Sequence, residues 1–300
     1  MHTISNKLKK IIKESVESVI SENIRLLTEK WSYSEDVDEE VDKLLWYIHR
    51  NYSQGHRETL EANQLYLTVG SFEKYKVFDK KNITIKYFVY ECFNKDICDF
   101  AYQNLDNLNG FVEEENCLYI TLYLIQYKIQ RQYCERNLTH ELGHILQIIY
   151  GKNNNQRYSK LMNDIYEYAN EVKMNTDKFG ESDLLLANIV YYSNKHEQDA
   201  FIQEYGRELK NNPSIFVTKN AEIYKILNFY KHCIQQYNDN IDNPSLTKAK
   251  KEYRKRGMND TNFLKMTTKM LSRFEKKINN VEKNAKYELR MRLNPRFGIE

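Results

Sequence analysis

The run Thr139-His140-Glu141-Leu142-Gly143-His144 holds the densest chemistry in this sequence. Two histidines four residues apart lie one above the other on a helix face, so both imidazoles can reach a single ion. Glu141 sits one step round the helix from His140. It is a poor ligand for the same ion but well placed to contact a water on it. With 7 histidines in 300 residues, a chance HExxH arises about 0.01 times per chain, which makes coincidence a weak competitor. Gly143 costs the helix about 1 kcal/mol against Ala; a neighbouring segment packed closely on it would explain the choice. The competing readings are two incidental histidines on a solvated helix and a metal-binding fold without catalysis.

A catalytic zinc ion takes three protein ligands and leaves a fourth position to water. No third histidine follows at short spacing, where Gln147 and Tyr150 stand, so the ligand must come from another element. The best candidate is Glu197 in Lys195-His196-Glu197-Gln198-Asp199-Ala200-Phe201-Ile202-Gln203-Glu204. Glu197, Ala200, Phe201 and Glu204 share one helix face, and an acid beside a small residue on an inward face suits a buried ligand. Glu204 is the main rival; Glu167, Glu171 and Asp199 are weaker. The plain alternative for Glu197 is an acid favoured by the dipole near a helix start. His196 projects about 100° away from Glu197 and reads as a surface or capping histidine. His2, His49 and His56 belong to no pattern.

The elements that must position these residues follow from periodicity. Apolar residues recur at three and four over Asn6–Lys30, giving an amphipathic helix, and again from Ser34 through Val37, Val41, Leu44, Leu45 and Ile48. Ser34 is a plausible N-cap by type. Gln64–Gly70, Ile83–Cys92 and Cys117–Ile125 are rich in β-branched and aromatic residues and read as strands. Asn104–Gly110 is turn-rich. The metal-binding run falls on a helix from about Tyr127 to Tyr150, closed by Gly151. Leu138, Leu142, Ile145, Leu146 and Ile149 bury its other side. Everything later reads helical: Tyr158–Met174, Ser182–Tyr192, Asn194–Lys210, Val217–Asn238, Ser245–Arg256 and Thr261–Leu293. The class is α+β, with segments at 1–62 (helical), 63–210 (the core) and 211–300 (basic and helical).

Composition agrees. Only 9 Gly and 3 Pro in 300 residues exclude collagen-like, linker-rich and Pro/Gly-rich disordered classes and argue against a turn-dense β-sandwich. The charged N-terminus lacks a secretory apolar stretch, and no run approaches the roughly 18–20 residues that span a bilayer. Five cysteines without a CxxC pair read as free thiols in a reducing cytosol, so a cytoplasmic location with no membrane partner is expected. The formal charge of +3 conceals an asymmetry: residues 248–300 carry 16 Lys/Arg against 6 Asp/Glu, a net +10, leaving −7 for the rest. The densest stretch, Lys248–Arg256, is either a solvated or docked helix face or a contact for nucleic acid or another polyanion.

On these residues the sequence resembles the zincin metallopeptidases, in the gluzincin arrangement of HExxH with a downstream Glu. It is most similar to small intracellular zincins of phages, plasmids and low-GC bacteria, in which a helix of type E-x-x-A follows the metal helix. His140, Glu141 and His144 match the first element; Glu197 with Ala200 matches the second. The likeness covers Gln64 to Lys210, and the flanking helices match nothing. Thermolysin-like members keep an Asp four residues after the ligand Glu, where it orients a histidine. Here that position is Phe201, which leaves the orienting residue unidentified.

The resemblance implies a zincin-like core with a small mixed sheet, an active-site helix and extensive flanking helices. It implies Zn²⁺ held by His140, His144 and Glu197, with Glu141 as general base in the hydrolysis of a protein or peptide substrate. It also implies that Cys117–Ile125 is the sheet edge on which an extended peptide pairs, and that a Tyr or His stabilises the oxyanion. Candidates are Tyr191, Tyr192, Tyr205 and His232, although any one of 24 tyrosines is by default a packing residue. Two other functions compete. One is a phage or mobile-element structural or regulatory protein using the metal for stability. The other is a nucleic-acid-associated factor, such as a peptidase directed at a DNA-bound repressor, using the basic tail.

Overall fold

The computed structural model describes residues 34–61, 64–105, 108–151, 160–212, 215 and 221–293. The helix expected over Asn6–Lys30 lies outside them. The chain is mostly helical with a small mixed open sheet, an α+β arrangement.

The first described helix, α1 (Glu35–Asn51), buries Val37, Val41, Leu44, Leu45 and Ile48, the residues its periodicity singles out. Ser34 occupies the N-cap position without a capping bond from its side chain. Its amide donates instead to Gln203 Oε1 at 2.8 Å. Six strands follow: β1 (His56–Glu61), β2 (Leu65–Val77), β3 (Lys81–Cys92), β4 (Gly110–Val112), β5 (Cys117–Ile125) and β6 (Lys128–Ile129). Their order is β1-β2-β3-β5-β4, with β6 also on β5; β3 and β5 run parallel and every other pair is antiparallel. The parallel crossover carries α2 (Lys95–Asn104), a helix the strand-and-turn reading of this stretch overlooks. Asn94 caps it, its side chain accepting from the Ile97 amide at 3.0 Å.

The edge expected at Cys117–Ile125 is corrected. Strand β5 is interior: β3 lies along one side, while β4 covers its first third and β6 its end on the other. Between them the Thr121 amide donates to Asn109 Oδ1 (2.9 Å) and the Gln130 amide to the Tyr123 carbonyl (2.8 Å). With these groups satisfied, the exposed edge on this side passes to β4.

The helix carrying His140 and His144, α3, spans Arg131–Gly151, beginning later than the expected Tyr127 and including Gly151 as its last residue. Gln126 and Tyr127 both adopt positive φ (50° and 64°). They form the two-residue turn of the β5–β6 hairpin, a tighter solution than extending the helix. Leu138, Leu142, Ile145 and Leu146 are buried against α1 and the sheet face of Ile83, Ile85, Val89, Leu118, Ile120 and Leu122, with Ile149 at the margin. On the opposite face, α2 covers Tyr90, Cys92 and Tyr123.

The remainder is helical, close to expectation: α4 (Lys160–Met174), α5 (Glu181–Ser193), α6 (Lys195–Asn211), α7 (Glu222–Asp239), α8 (Pro244–Lys255) and α9 (Asp260–Leu293). They form two further apolar clusters, one around Tyr168, Tyr230 and Tyr253 and one around Phe201, Ile226 and Phe274. Buried Arg207 on α6 ties the halves together. It donates to Asp38 Oδ1 (3.0 Å) and Asp42 Oδ1 (3.0 Å) on α1 and to Glu135 Oε1 (3.2 Å) on α3. The five cysteines are buried free thiols, and no described helix is long and apolar enough to cross a membrane.

Much of the basic stretch Lys248–Arg256 is engaged within the chain. Lys250 is buried, donating to the Ile241 carbonyl (3.1 Å) with its ammonium 4.7 Å from the Tyr237 ring centre. Arg254 pairs with Asp260, Lys255 with Glu252 (2.5 Å), and the Arg256 guanidinium lies 3.7 Å over Tyr168. Lys248 and Lys251 remain exposed.

Candidate metal centre

Two helices build the site. α3 presents His140 and His144 one turn apart. α6 is capped by Asn194, whose side chain accepts from the His196 amide at 2.8 Å, and places Glu197 in its first turn. A carboxylate there benefits from the partial positive charge of the helix start. The helices approach closely at Gly143: a Cβ on it would lie 3.4 Å from Gln203 Cγ and 3.5 Å from Ala200 Cα. This is the close neighbour that a glycine in mid-helix suggests. Gly143→Ala is expected to be near neutral in thermal unfolding, because a tight contact offsets the roughly 1 kcal/mol gained in helix propensity. Gly143→Leu is expected to cost about 1–3 kcal/mol by overpacking. A leucine variant as stable as the parent would show that the helices are not held this close.

His140, His144 and Glu197 converge, one ligand atom from each lying within 4.8 Å of the other two. His140 Nε2 and His144 Nε2 are 3.1 Å apart, His140 Nε2 and Glu197 Oε2 3.3 Å, and His144 Nε2 and Glu197 Oε1 3.5 Å. Donors bonded tetrahedrally at about 2.0–2.1 Å to one zinc ion stand roughly 3.3–3.4 Å apart. The donor set suits a zinc ion, with His140 nearest one oxygen of Glu197 and His144 nearest the other. His140 and Glu197 are buried, with 9% and 5% of their surface exposed, so neither is an incidental surface group.

Glu204 has a different place. Its Oε1 lies 2.5 Å from His140 Nδ1, on the side of the ring away from the cluster, and its Oε2 accepts from Arg136 Nε at 2.6 Å. The His140 Nδ1–H···Glu204 bond leaves Nε2 as the free donor atom toward Glu197 and His144. Phe201 packs its ring 4.9 Å from His140 and orients nothing by hydrogen bonding. The carboxylate that meets this ring is Glu204, three residues beyond Phe201.

Glu141 stands outside the converging group. Its Oε2 accepts from the Phe111 amide on β4 at 2.9 Å. An amide directed at Glu141 makes Phe111–Leu118 a pair without mutual main-chain bonds, so the Phe111 carbonyl also faces outward.

The charges explain the pKa directions. Burial disfavours the charged form of His140, yet its bonds to Glu197 and Glu204 prevail and push its pKa up to about 10. Burial likewise works against the Glu197 carboxylate, but the two histidines hold it well below the usual carboxylate range.

Tyr166 on α4 donates to Glu197 Oε1 at 2.5 Å. Burial and the Glu197 charge push its hydroxyl pKa up, with a further contribution from Glu141. Sequence reasoning missed it, because one tyrosine among 24 carries no local signal. Tyr191 stacks beside Tyr166 (ring centres 6.3 Å apart) and is also raised by burial and Glu197. The Lys173 ammonium lies 3.2 Å over the Tyr191 ring. The other oxyanion candidates lie elsewhere in role or place. Tyr192 stacks on Phe201, Tyr205 donates to Glu282 at 2.8 Å, and His232 is exposed on α7. Glu167 and Glu171 are exposed and Asp199 pairs with Lys277, so none joins the cluster.

His196 is not a surface or capping histidine. Its Nδ1 donates to Gln147 Oε1 (2.8 Å), while Gln147 Nε2 donates to the His196 carbonyl (3.0 Å), a reciprocal link between α6 and α3.

Compared with protein-family models, with curated proteins and with solved structures, the chain matches none.

Proposed function

We propose that this protein is a zinc-dependent peptidase with a zincin-like core, in which His140, His144 and Glu197 hold the metal and Glu141 is the general base. The observation that carries the reading is the converging triad at 3.1–3.5 Å together with an adjacent acid that is not part of it. A purely structural metal site has no use for such an acid. A zinc ion in this position supplies a water that ionises near neutral pH and a positive charge for a carbonyl oxygen.

The protein's own groups do the rest. Glu141, steadied by the Phe111 amide, takes the proton from the attacking water and delivers it to the leaving amine. Glu204 keeps the His140 tautomer that directs Nε2 inward. Tyr166 suits the oxyanion role better than Tyr191, Tyr192, Tyr205 or His232, since its hydroxyl, a hydrogen-bond donor, reaches the Glu197 carboxylate at 2.5 Å. The extended substrate lies along the outer edge of β4, where the Phe111 carbonyl is available for pairing.

The test is direct. The purified chain is expected to bind zinc at one ion per molecule, as measured by elemental analysis, and to cleave an unstructured protein substrate in a chelator-sensitive manner. A chain that takes up no zinc would sink the proposal.

A further inference from the structure

Behind the metal centre, on the far side of Glu204, lies a cavity of about 340 Å³ between the N-terminal half of α3, α6 and the start of α7. Glu204 is the partition: it lines the cavity and holds His140 Nδ1. The metal-site residues Glu141, His144 and Glu197 do not line it. Its volume is at the low end of the roughly 300–1,000 Å³ typical of small-molecule sites.

The walls are of two kinds. Phe201, Ile223 and Ile226 form an apolar one. The other is charged, and its accounts do not balance throughout. Arg131 and Arg207 are taken up by Asp38, Asp42 and Glu135. Toward α7, Arg136 serves Glu204 at 2.6 Å and reaches Glu222 at 3.7 Å, while Lys225 pairs with Glu222 at 2.9 Å. Among the described residues three carboxylates therefore meet two cations, and Glu208 is the one left over. Its side chain makes no hydrogen bond or ion pair among the described residues. Burial, with the neighbouring Glu204 and Glu222 charges, raises its pKa against the pull of Arg136. A partly desolvated carboxylate beside an apolar wall is costly to leave uncompensated.

We propose that this cavity is a binding site for a small organic cation, a primary ammonium on a short apolar chain. The ammonium pairs with Glu208 and the chain lies against Phe201, Ile223 and Ile226. An anion is disfavoured by the excess of carboxylates, and a fully hydrated metal ion makes no use of the apolar wall.

The experiment is a calorimetric titration of the full chain with hexylamine, hexanoate and hexanol. Hexylamine is expected to bind saturably at one site, at least tenfold more tightly than hexanoate or hexanol. Glu208→Gln is expected to weaken hexylamine at least tenfold without altering the circular dichroism spectrum. Ile226→Phe, which fills the cavity while keeping its charges, is expected to weaken it as well. Hexylamine binding no tighter than hexanol, or unchanged in both variants, overturns the proposal. So does binding that survives Glu208→Gln but disappears in His144→Ala, because the amine would then be at the metal centre. The titration reads binding and not hydrolysis, so its outcome is separate from that of the peptidase reading.

Discussion

Glu141→Gln is expected to retain zinc at one ion per chain and to lose peptide hydrolysis by about 10²–10⁴-fold, the range that removing a general base produces. The replacement is nearly isosteric, and the amide oxygen of Gln can still accept from the Phe111 amide that holds Glu141 at 2.9 Å. The side chain stays in place while losing the basicity that the reaction needs. Because Glu141 is not in the converging group, metal content should not fall. Zinc stoichiometry and cleavage rate measured on one preparation separate the two effects. A variant that cleaves at the parental rate would remove Glu141 from the chemistry. A variant that loses its zinc would make Glu141 a ligand and reopen the assignment of the third donor.

The second large effect concerns that donor. Glu197→Ala should weaken zinc binding by well over 100-fold, since it removes one of three ligands. Glu204→Gln should weaken it by about 10–100-fold, as is usual for partners that orient a ligating histidine. Competition against a chelator of known affinity ranks the two. The opposite ranking would make Glu204 the ligand and Glu197 its support.

The same site makes metal binding depend on pH in a defined direction. In the metal-free protein the His140 pKa is raised from 6.5 to about 10. Its charged form therefore stabilises the fold fully below about pH 6.5, and that contribution is lost as the pH climbs toward 10. Zinc requires His140 neutral at Nε2, so binding near pH 7–8 should release about one proton, and affinity should rise with pH over this window. Calorimetry in two buffers of different ionisation enthalpy measures that proton.

The site was legible where its signal is local. His140, Glu141 and His144 lie on one helix, and the 3.6-residue period fixes which of their side chains share a face before any tertiary contact forms. Glu197 was legible because an acid next to Ala200 on an inward face is unusual. Gly143 was legible because it works against its own helix. The role of Glu204 was not. Seven residues from Glu197 on the same face, it has the same chemistry, and only the depth at which α6 crosses α3 decides which carboxylate meets Nε2 and which meets Nδ1.

The sequence by itself determined the helix that carries His140 and His144, the helical character of the second half and the strands Cys117–Ile125 and Ile83–Cys92. These are periodic patterns of apolar residues, readable within one element. Tertiary structure alone decided the rest. It enclosed Cys117–Ile125 between neighbours and moved the open edge to Gly110–Val112, because strand pairing joins residues distant in sequence. It brought Tyr166 from another helix onto Glu197 and tied His196 to Gln147. It also spent most of the Lys248–Arg256 charges on internal partners, which a count of charges along the chain does not reveal. In each case the deciding contact spans segments whose packing, and not whose local pattern, sets the distance.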